Sequence, residues 1–557
     1  MVDLLWLQDY PAGIDWYKEI PEKPVYKIFD EAVEDFADHY AFNFLGKRYK
    51  YSEMATQIEK LAVALQKKGI GKGDKIGLFL PNSPYYYVSY YAILKTGATV
   101  VNFNPLYAKS ELEYQIKDSD TKMMITLDLA LLYDKVLGCL ETTPLEHILV
   151  CKMADILPFP KNFLFPFVKK KELADLKRDD RHAFWNDFLM SAGDEALKAV
   201  EIDPKEDVAI LQYTGGTTGV PKGAMLTHYN VYANTLQSKA WFKSVRLGEE
   251  KMLGVLPFFH VFAMIVVLNL GVHSGMEIIA VPRFDLNDVL DIIKKRKPTL
   301  FPAVPAIYTS IVHHKEIKNY DLSSIRYCIS GGAPLPVEIK KTFEEITGCQ
   351  LAEGYGLTES SPVAVCNPLE GLNKAGSIGL PLPQTYIDII STETGQEMPQ
   401  GEAGEICIRG PQVMKGYYKR IEATDDVLKD GRLHTGDIGY MDEQGYVFII
   451  DRIKDLIITN GYNVYPRQVE DALYKNEAVE ECIVAGLPDS KRGEIVKAWI
   501  KVKEGHSLTE EGVKTFLKNH ISAYEMPRKI EFRRDPLPKT MIGKLSRKEI
   551  VAQELKS

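Results

Sequence analysis

The spacing of apolar and polar residues predicts helices and buried strands that follow one another through the first part of the chain. Residues 51–69 carry apolar side chains at helical spacing and stop at Gly69, which predicts an amphipathic helix. Short unbroken apolar runs predict buried strands at residues 74–82, 98–105, 122–128 and 207–214. Helices that alternate with such strands favour an α/β fold with mainly parallel sheets.

The pattern changes near residue 376, where short strands are separated by Gly/Pro turns, as is typical of a small β unit. We predict a β-rich subdomain at about 376–450, which closes a large N-terminal domain spanning residues 1–451. Residues 452–557 then form a small α+β domain, with the boundary at Asp451–Lys454. In this domain we expect helices near 466–475 and 510–520 and strands near 480–486 and 495–502.

One segment, residues 156–178, fits neither pattern. Aromatic and apolar residues run into Lys169, Lys170 and Lys171, and three prolines argue against a regular helix through its first half. Two interpretations stay open. The segment is either a surface insertion packed on the domain, or a contact with a membrane surface, with aromatic rings at the interface and lysines on anionic headgroups.

Composition and charge narrow the class of protein. The chain has 557 residues and a net charge of −8, so no basic excess points to nucleic acid as a partner. Residues 452–557 contain 20 basic and 16 acidic residues, and this positive balance suits a domain that binds phosphate groups. The seven cysteines are scattered without a C-x-x-C pair, which predicts neither a zinc site nor disulfides and favours a reducing cytoplasm.

Two features of the sequence argue against export or membrane insertion. The N-terminus carries Asp3 and no basic stretch, so we expect no signal peptide. The longest apolar run, about 261–272, is shorter than the roughly 20 residues that a membrane-spanning helix needs.

A glycine-rich stretch, "TGGTTGVPKG" at 214–223, predicts a phosphate-binding loop at the end of the strand 207–214. It is not a P-loop, because Val220 or Pro221 stands where that motif needs its second glycine. Pro221 also lacks the backbone N–H that such a loop would use there. The stretch is therefore a different phosphate loop.

Four further motifs follow it, and each alone is an ordinary turn or core segment. They are "LPFFHVFAM" at 256–264, "EGYGLTES" at 353–360, "LHTGDIGY" at 433–440 and "PKTMIGKLSR" at 538–547. Together with "SGGAPLP" at 330–336, "GPQVMKGYY" and "GYNVYPRQVED", they make the chain resemble the adenylate-forming superfamily of acyl-CoA synthetases, firefly-type luciferases and peptide-synthetase adenylation domains. Within it, the chain is most similar to bacterial long-chain-fatty-acid–CoA ligases, over essentially its whole length.

The resemblance implies a two-step reaction. ATP first converts a fatty acid into an acyl-adenylate, and the CoA thiol then attacks it to give acyl-CoA and AMP. It also implies that the small C-terminal domain is mobile and takes one position for each half-reaction. Fatty acid, ATP, CoA and Mg²⁺ are the implied ligands. The expected location is cytoplasmic, while contact with the inner face of the membrane and a homodimer are left open.

The resemblance also assigns site residues. It implies catalytic roles for Lys544, Glu359 and His260, with Thr214 and Glu359 near Mg²⁺. It implies that His260 and Met264 line the acyl tunnel, that Gly461 takes part in the CoA step and that Lys454 is the hinge. ATP- and AMP-binding roles are implied for Thr214, Gly215, Gly216, Thr217, Thr218, Gly219, Lys222, Gly331, Gly332, Ala333, Glu353, Gly354, Tyr355, Gly356, Thr358, Asp437 and Arg452.

Three alternative functions remain open at this point. The substrate could be an aromatic acid or an amino acid, although residues 258–264 lack the acidic side chain that would hold an ammonium group. The acyl group could pass to a carrier protein, or the adenylate could be oxidised with emission of light. A non-catalytic nucleotide-binding protein is disfavoured, because it would not need Lys544 on a separate domain.

Overall fold

A computed structural model describes residues 4–214, 220–459, 462–489, 492–539 and 545–555, and arranges them in five β-sheets with helices packed on their faces. The predicted α/β class is confirmed. The four apolar runs predicted as strands become β3 (Lys75–Phe79), β4 (Thr99–Asn102), β5 (Met123–Leu127) and β8 (Val208–Thr214). The helix predicted at residues 51–69 is α2 (Tyr51–Lys67), which ends two residues before Gly69, at φ +83°.

Among the described residues before 281 the strands are β1 (Tyr40–Phe44), β2 (Lys47–Lys50), β3 (Lys75–Phe79), β4 (Thr99–Asn102), β5 (Met123–Leu127), β6 (His147–Cys151), β7 (His182–Phe184), β8 (Val208–Thr214), β9 (Lys222–Thr227), β10 (Lys251–Gly254) and β11 (Glu277–Ala280). The helices of the same region and of the stretch up to residue 347 are α1 (Lys27–Phe36), α2 (Tyr51–Lys67), α3 (Pro84–Lys95), α4 (Lys109–Ser119), α5 (Ala130–Leu137), α6 (Lys161–Val168), α7 (Trp185–Met190), α8 (His228–Trp241), α9 (Val261–Ala263), α10 (Leu270–His273), α11 (Leu286–Arg296), α12 (Pro305–Val312) and α13 (Val337–Thr347). A π-helical turn, Met264–Asn269, joins α9 to α10.

The next region is richer in strands: β12 (Tyr327–Gly331), β13 (Gln350–Gly356), β14 (Val363–Cys366), β15 (Leu380–Pro381), β16 (Tyr386–Ile390), β17 (Gly404–Arg409), β18 (Gly416–Tyr417), β19 (Leu428–Lys429), β20 (Arg432–Met441) and β21 (Val447–Arg452), with α14 (Ile421–Asp425). The last region contains β22 (Ile457–Thr459), β23 (Tyr462–Val464), β24 (Val479–Asp489), β25 (Gly493–Val502) and β26 (Lys529–Arg533), with α15 (Pro466–Tyr474), α16 (Glu510–Leu517) and α17 (Arg547–Glu554). The helices and strands expected in the C-terminal domain are confirmed.

The largest sheet has eight strands in the order β18-β9-β8-β4-β3-β5-β6-β7. From β8 to β7 all neighbours are parallel, and their residues are mostly buried. Strands covered by helices on both faces need apolar residues at nearly every position, which explains their unbroken apolar runs. The second layer contains β2-β1-β11-β10 and β12-β13-β14-β15, parallel at β1/β11, β10/β11 and β12/β13.

The β-rich stretch forms an antiparallel sheet, β16-β17-β20-β19, with β21 paired to β20. β15 pairs with β14 of the second layer, so the strands of this sheet begin at Tyr386. One apolar core runs from Trp6 to Val447, and separate cores begin again at Ile457 on β22. The change of core falls across the short stretch after β21, where the sequence predicted the domain boundary.

The expectation for residues 156–178 is wrong in one respect. The chain does form a helix there, α6, with Pro166 inside it. Pro166 removes the hydrogen bond to the carbonyl of residue 162 and crowds that carbonyl, but it lies near the end of the helix, which stops two residues later at Val168. Among the described residues, none of the helices is long and apolar enough to cross a membrane.

Candidate functional site

The glycine-rich loop joins two antiparallel strands. β8 ends at Thr214, β9 begins at Lys222, and these two residues are paired across the ladder. Gly215, Gly216, Thr217, Thr218 and Gly219 lie outside the described residues. The hairpin holds both ends of the loop near one edge of the large sheet, where only β18 lies beyond β9, and the loop leaves the carboxyl end of the buried strand β8, as predicted.

Lys222 and Glu359 meet through a tyrosine that the sequence reasoning did not single out. The Lys222 Nζ lies 5.0 Å from the centre of the Tyr417 ring, and the Tyr417 hydroxyl donates to Glu359 Oε1 at 2.6 Å. The 3₁₀ turn Thr358–Ser360, which carries Glu359, packs beside β8 and β9. The structure therefore brings Thr358, Glu359 and both ends of the phosphate loop together. Tyr417 lies in "GPQVMKGYY", one of the motifs that carried the resemblance.

Three glycines on two neighbouring strands lie next to this cluster, and we call them the nucleotide wall (Gly331, Gly354 and Gly356). Gly331 and Gly354 are neighbours on the parallel strands β12 and β13. A Cβ at Gly356 would stand 1.7 Å from the carbonyl oxygen of Pro362, and one at Gly331 would stand 3.2 Å from the Phe262 ring. No side chain fits at Gly356, because the neighbouring backbone occupies its place. Gly332, at φ +83°, and Ala333 follow β12 directly.

Asp437 is the centre of a second polar cluster. The Tyr355 hydroxyl donates to its Oδ2 at 2.6 Å, and Arg452 Nε donates to its Oδ1 at 3.0 Å. The Gly436 N–H donates to Glu405 Oε1 at 2.9 Å, which fixes the turn before Asp437. Asp437 and Arg452 are paired residues of β20 and β21, so the two strands hold carboxylate and guanidinium in register. Each carboxylate oxygen keeps lone-pair capacity for a further donor, such as a ribose hydroxyl.

Glu353 is buried beside the nucleotide wall. The Leu335 N–H donates to its carboxylate at 3.2 Å, burial raises the pKa of Glu353 to about 7, and the positive charge of Arg467 limits the rise. Arg467 belongs to α15, in the C-terminal domain. This charge interaction leaves no local pattern in the sequence, because the two residues are more than a hundred positions apart.

The segment around His260 is anchored by buried polar side chains. Asn82 Oδ1 accepts from the Phe258 N–H at 2.7 Å, and the Tyr86 hydroxyl donates to the Phe258 carbonyl at 2.8 Å. His260 Nδ1 caps the next helical turn by accepting from the Phe262 N–H at 3.4 Å.

Met264 is fully buried and begins the π-helical turn that joins α9 to α10. Every residue from Val261 to Val272 is buried, and the only polar side chain among them is that of Asn269. Turns of π-helix are frequent at functional sites. The structure thus places His260 and Met264 on one apolar element, as the sequence predicted.

A cluster of charged groups lies where the C-terminal domain meets Asp451 at the end of the N-terminal domain, and we call it the domain junction (Asp451, Asp455, Glu470 and Arg547). Arg547 reaches across to Asp451 at 3.7 Å. Arg547 contacts Asp455 at 2.8 Å and Glu470 at 2.5 Å. Asp451 Oδ2 accepts from the Arg467 N–H at 2.6 Å, and burial raises the pKa of Glu470 to about 7.

Lys454 lies exposed in the 3₁₀ turn Ile453–Asp455, between β21 and the new core. This position, between two separately packed units, is compatible with the predicted hinge. Gly461 and Lys544 fall outside the described residues.

The comparisons with known proteins agree with this arrangement. A family model described as AMP-binding enzyme matches residues 29–418, and one described as AMP-binding enzyme C-terminal domain matches residues 468–544. The chain is 46% identical to the long-chain-fatty-acid–CoA ligase of Bacillus subtilis (strain 168) over 550 residues, which covers 99% of this chain and 98% of that protein. It is 37% identical to the protein of the same name from Escherichia coli O6:H1, with coverages of 98% and 97%.

A solved structure of similar fold is the ATP-bound MatB from Rhodopseudomonas palustris. Its TM-score is 0.81 at 28% sequence identity, with 96% of this chain and 99% of that chain covered. Both domains of the chain therefore have counterparts in a structure that holds ATP.

Proposed function

This chain belongs to the AMP-binding enzyme family, and from that premise we propose that it is an ATP-dependent long-chain-fatty-acid–CoA ligase acting through an acyl-adenylate. The observation that carries the proposal is the meeting of four groups around the end of β8. These are the phosphate-loop ends, the Tyr417–Glu359 pair, the nucleotide wall and the Asp437 cluster. Phosphates, base and ribose of one ATP can each find a matching surface there.

The chemistry needs positioning more than a protein nucleophile. A fatty-acid carboxylate is a poor electrophile, and joining it to AMP gives an anhydride with a good leaving group. Asp437 holds the ribose and the nucleotide wall holds the adenine, so the α-phosphate faces the acyl segment that follows His260. Lys544 supplies a positive charge to the carboxylate and α-phosphate as they react.

Magnesium is the expected metal. Thr214 and Glu359 would hold it with hydroxyl and carboxylate oxygens, the donors that this cation prefers. Glu359 fits the role, since Oε1 accepts from Tyr417 and thereby fixes the direction of the carboxylate. Bound there, the ion would neutralise phosphate charge and make the leaving pyrophosphate more stable.

The apolar element after His260 supports a long alkyl substrate. Helices α9 and α10 and the π-helical turn between them are buried, and residues 258–264 contain no acidic side chain to pair with an ammonium group. The curated relatives at 46% and 37% identity carry the name of long-chain ligases. Amino acids are therefore the least favoured of the alternative substrates.

The second half-reaction uses the C-terminal domain in another position. Lys454 would act as the hinge, because it lies between the two cores. Gly461, with no side chain, would let the pantetheine arm approach the backbone closely. We also propose a peripheral contact with the inner face of the membrane through residues 156–171, while self-association is left to experiment.

The experiment that tests this function measures AMP release with and without CoA over a panel of carboxylic acids. The panel contains saturated acids from short to long, benzoate and several amino acids. We expect the rate to rise with chain length and to require CoA for turnover. A preference for benzoate or amino acids would contradict the substrate, and turnover without CoA would favour the alternative acceptors.

A further inference from the structure

Three side chains of the types that bind transition metals meet at the base of the turn that carries Asp437. They are Glu405, Cys407 and His434, and one donor atom from each lies within 4.8 Å of the other two. His434 Nδ1 is 2.7 Å from Glu405 Oε2 and 3.4 Å from Cys407 Sγ. We call these three residues the Glu–Cys–His cluster.

The antiparallel pairing of β17 with β20 builds the cluster. Cys407 and His434 are paired directly across the two strands, and Glu405 lies two residues before Cys407 on β17, so that both side chains face the imidazole. The spacing of cysteines along the chain could not indicate this group, because the histidine lies 27 positions from the cysteine. The cluster is a product of the fold.

The cluster also holds the backbone that presents Asp437. The strand register shifts between Glu405 and Cys407, so that residues 435–437 of β20 bulge out opposite the single residue 406 of β17. Glu405 Oε1 accepts from the N–H of Gly436, inside this bulge, at 2.9 Å, while the other oxygen of the same carboxylate faces His434. One carboxylate therefore joins the cluster to the backbone directly before Asp437.

The donor set suits zinc and not magnesium. Thiolate sulfur, imidazole nitrogen and carboxylate oxygen are the zinc ligands of proteins, whereas Mg²⁺ prefers oxygen. Tetrahedral zinc holds a sulfur and a nitrogen ligand about 3.5 Å apart, and Cys407 Sγ and His434 Nδ1 are 3.4 Å apart. Nδ1 and Glu405 Oε2 would have to separate by about 0.6 Å, because a hydrogen bond of 2.7 Å now joins them.

We propose that the Glu–Cys–His cluster binds one Zn²⁺ ion, with water as the fourth ligand, and that the bound ion weakens nucleotide binding at Asp437. The site goes beyond the proposed function, and only its effect on the nucleotide rests on that function. Burial and the Glu405 carboxylate raise the pKa of the Cys407 thiol to about 12, so the thiol is protonated before the ion arrives. A zinc–sulfur bond then replaces the S–H bond and the proton goes to water, while the imidazole binds through Nδ1 and keeps its proton on Nε2.

The exposure of the cluster and its link to the bulge explain both parts of the proposal. The side chains of Glu405 and His434 are 13% and 20% exposed, whereas Cys407 is fully buried, so an ion approaches from the side of the carboxylate and the imidazole. When Oε2 moves away from Nδ1, the carboxylate that holds the Gly436 N–H turns, and Asp437 shifts with the bulge. Because coupling between two sites is reciprocal, the ion and the nucleotide weaken each other's binding by the same factor.

The first experiment titrates the intact chain, without an affinity tag, with Co²⁺, whose absorption spectrum reports its ligands, and then displaces Co²⁺ with Zn²⁺. We expect one ion per chain and a sulfur-to-cobalt charge-transfer band in the near ultraviolet. Cys407→Ala should remove this band and weaken Zn²⁺ binding at least about a hundredfold, because loss of a direct ligand should cost no less than loss of an outer partner. His434→Gln should weaken Zn²⁺ binding to a similar degree. The matched control is Cys139→Ala, which changes another buried cysteine and should bind both ions as wild type does.

The second experiment measures binding of adenosine, which has no phosphate to bind zinc. Zn²⁺ should raise the Kd of wild type for adenosine at least about fivefold and leave that of Cys407→Ala unchanged at the same Zn²⁺ concentration. Absence of the charge-transfer band in wild type, or equal Zn²⁺ affinities of wild type and Cys407→Ala, would overturn the metal site. An unchanged Kd for adenosine in the zinc-loaded wild type would overturn the effect on the nucleotide. If wild type binds Zn²⁺ through Cys407 but forms no acyl-adenylate, the proposed function fails and the metal site stands.

Discussion

The nucleotide wall and the domain junction hold two sides of the same site by different means. At Gly356 the wall is backbone packed against backbone, with no room for a Cβ. The junction is a set of ionic contacts made by Arg547, with Asp455 and Glu470 of the C-terminal domain and, at 3.7 Å, with Asp451 of the N-terminal domain. Close packing resists displacement, whereas the long Arg547–Asp451 ion pair costs less to break. One side of the site can therefore stay fixed while the other moves between two half-reactions.

The largest expected effect concerns Lys544, in the C-terminal domain that we propose changes position between the half-reactions. Lys544→Ala should slow acyl-adenylate formation roughly thousandfold, because a charge that meets the reacting groups is lost, yet spare thioester formation from added acyl-adenylate. The measurement is each half-reaction on one purified variant. Lys548→Ala, an exposed lysine on α17, is the control and should change neither rate. Equal losses in both half-reactions would mean that Lys544 is structural.

The second-largest expected effect concerns the nucleotide wall. Gly356→Ala should lower the free energy of unfolding by about 4 kcal/mol, since its Cβ collides with the Pro362 carbonyl rather than with a movable side chain. Gly348→Ala is the control: its φ is +72° but the space around it is open, so it should cost only about 1 kcal/mol. Urea unfolding of both variants measures the difference. Similar losses of unfolding free energy in the two variants would show that the wall can shift to make room for the added Cβ.

A smaller loss is expected at the domain junction. Arg547→Met leaves Glu470 and Asp455 without their cation and should destabilise the C-terminal domain by about 2 kcal/mol, less than for a fully buried pair because the arginine is partly exposed. Hydrogen exchange should accelerate in α15 and β24 and stay unchanged in β12 and β13. Arg533→Met, at a more exposed pair on β26, should have little effect. Faster exchange in β12 would mean that the two regions unfold together.

The smallest effect is a pH dependence. Glu353 has its folded-state pKa raised to about 7, so its contribution to stability is full below its unfolded pKa and is lost as pH rises through 7. Between pH 6 and pH 8 the loss is about 1 kcal/mol. Glu353→Gln keeps the acceptor for the Leu335 N–H and should remove that part of the decline in unfolding free energy. An unchanged pH profile would contradict the assignment.

The sequence predicted the elements better than the contacts between them. Buried parallel strands such as β3 and β5 need apolar residues at nearly every position, so their positions could be predicted directly from the unbroken apolar runs. The Tyr417–Glu359 hydrogen bond and the charge interaction of Arg467 with Glu353 could not, because residues far apart in the chain leave no local pattern. The helix α6 was missed because Pro166 was given more weight than the short length of the helix justified.

Trapping the intermediate tests the central claim most directly. The enzyme is mixed with ATP, Mg²⁺ and palmitate without CoA, quenched within one turnover and analysed for nucleotides and acyl species. We predict palmitoyl-adenylate and pyrophosphate, in amounts close to that of the enzyme, followed by palmitoyl-CoA and AMP when CoA is added. Release of ADP with an acyl phosphate, or formation of palmitoyl-CoA with no adenylate at any time, would contradict the two-step mechanism.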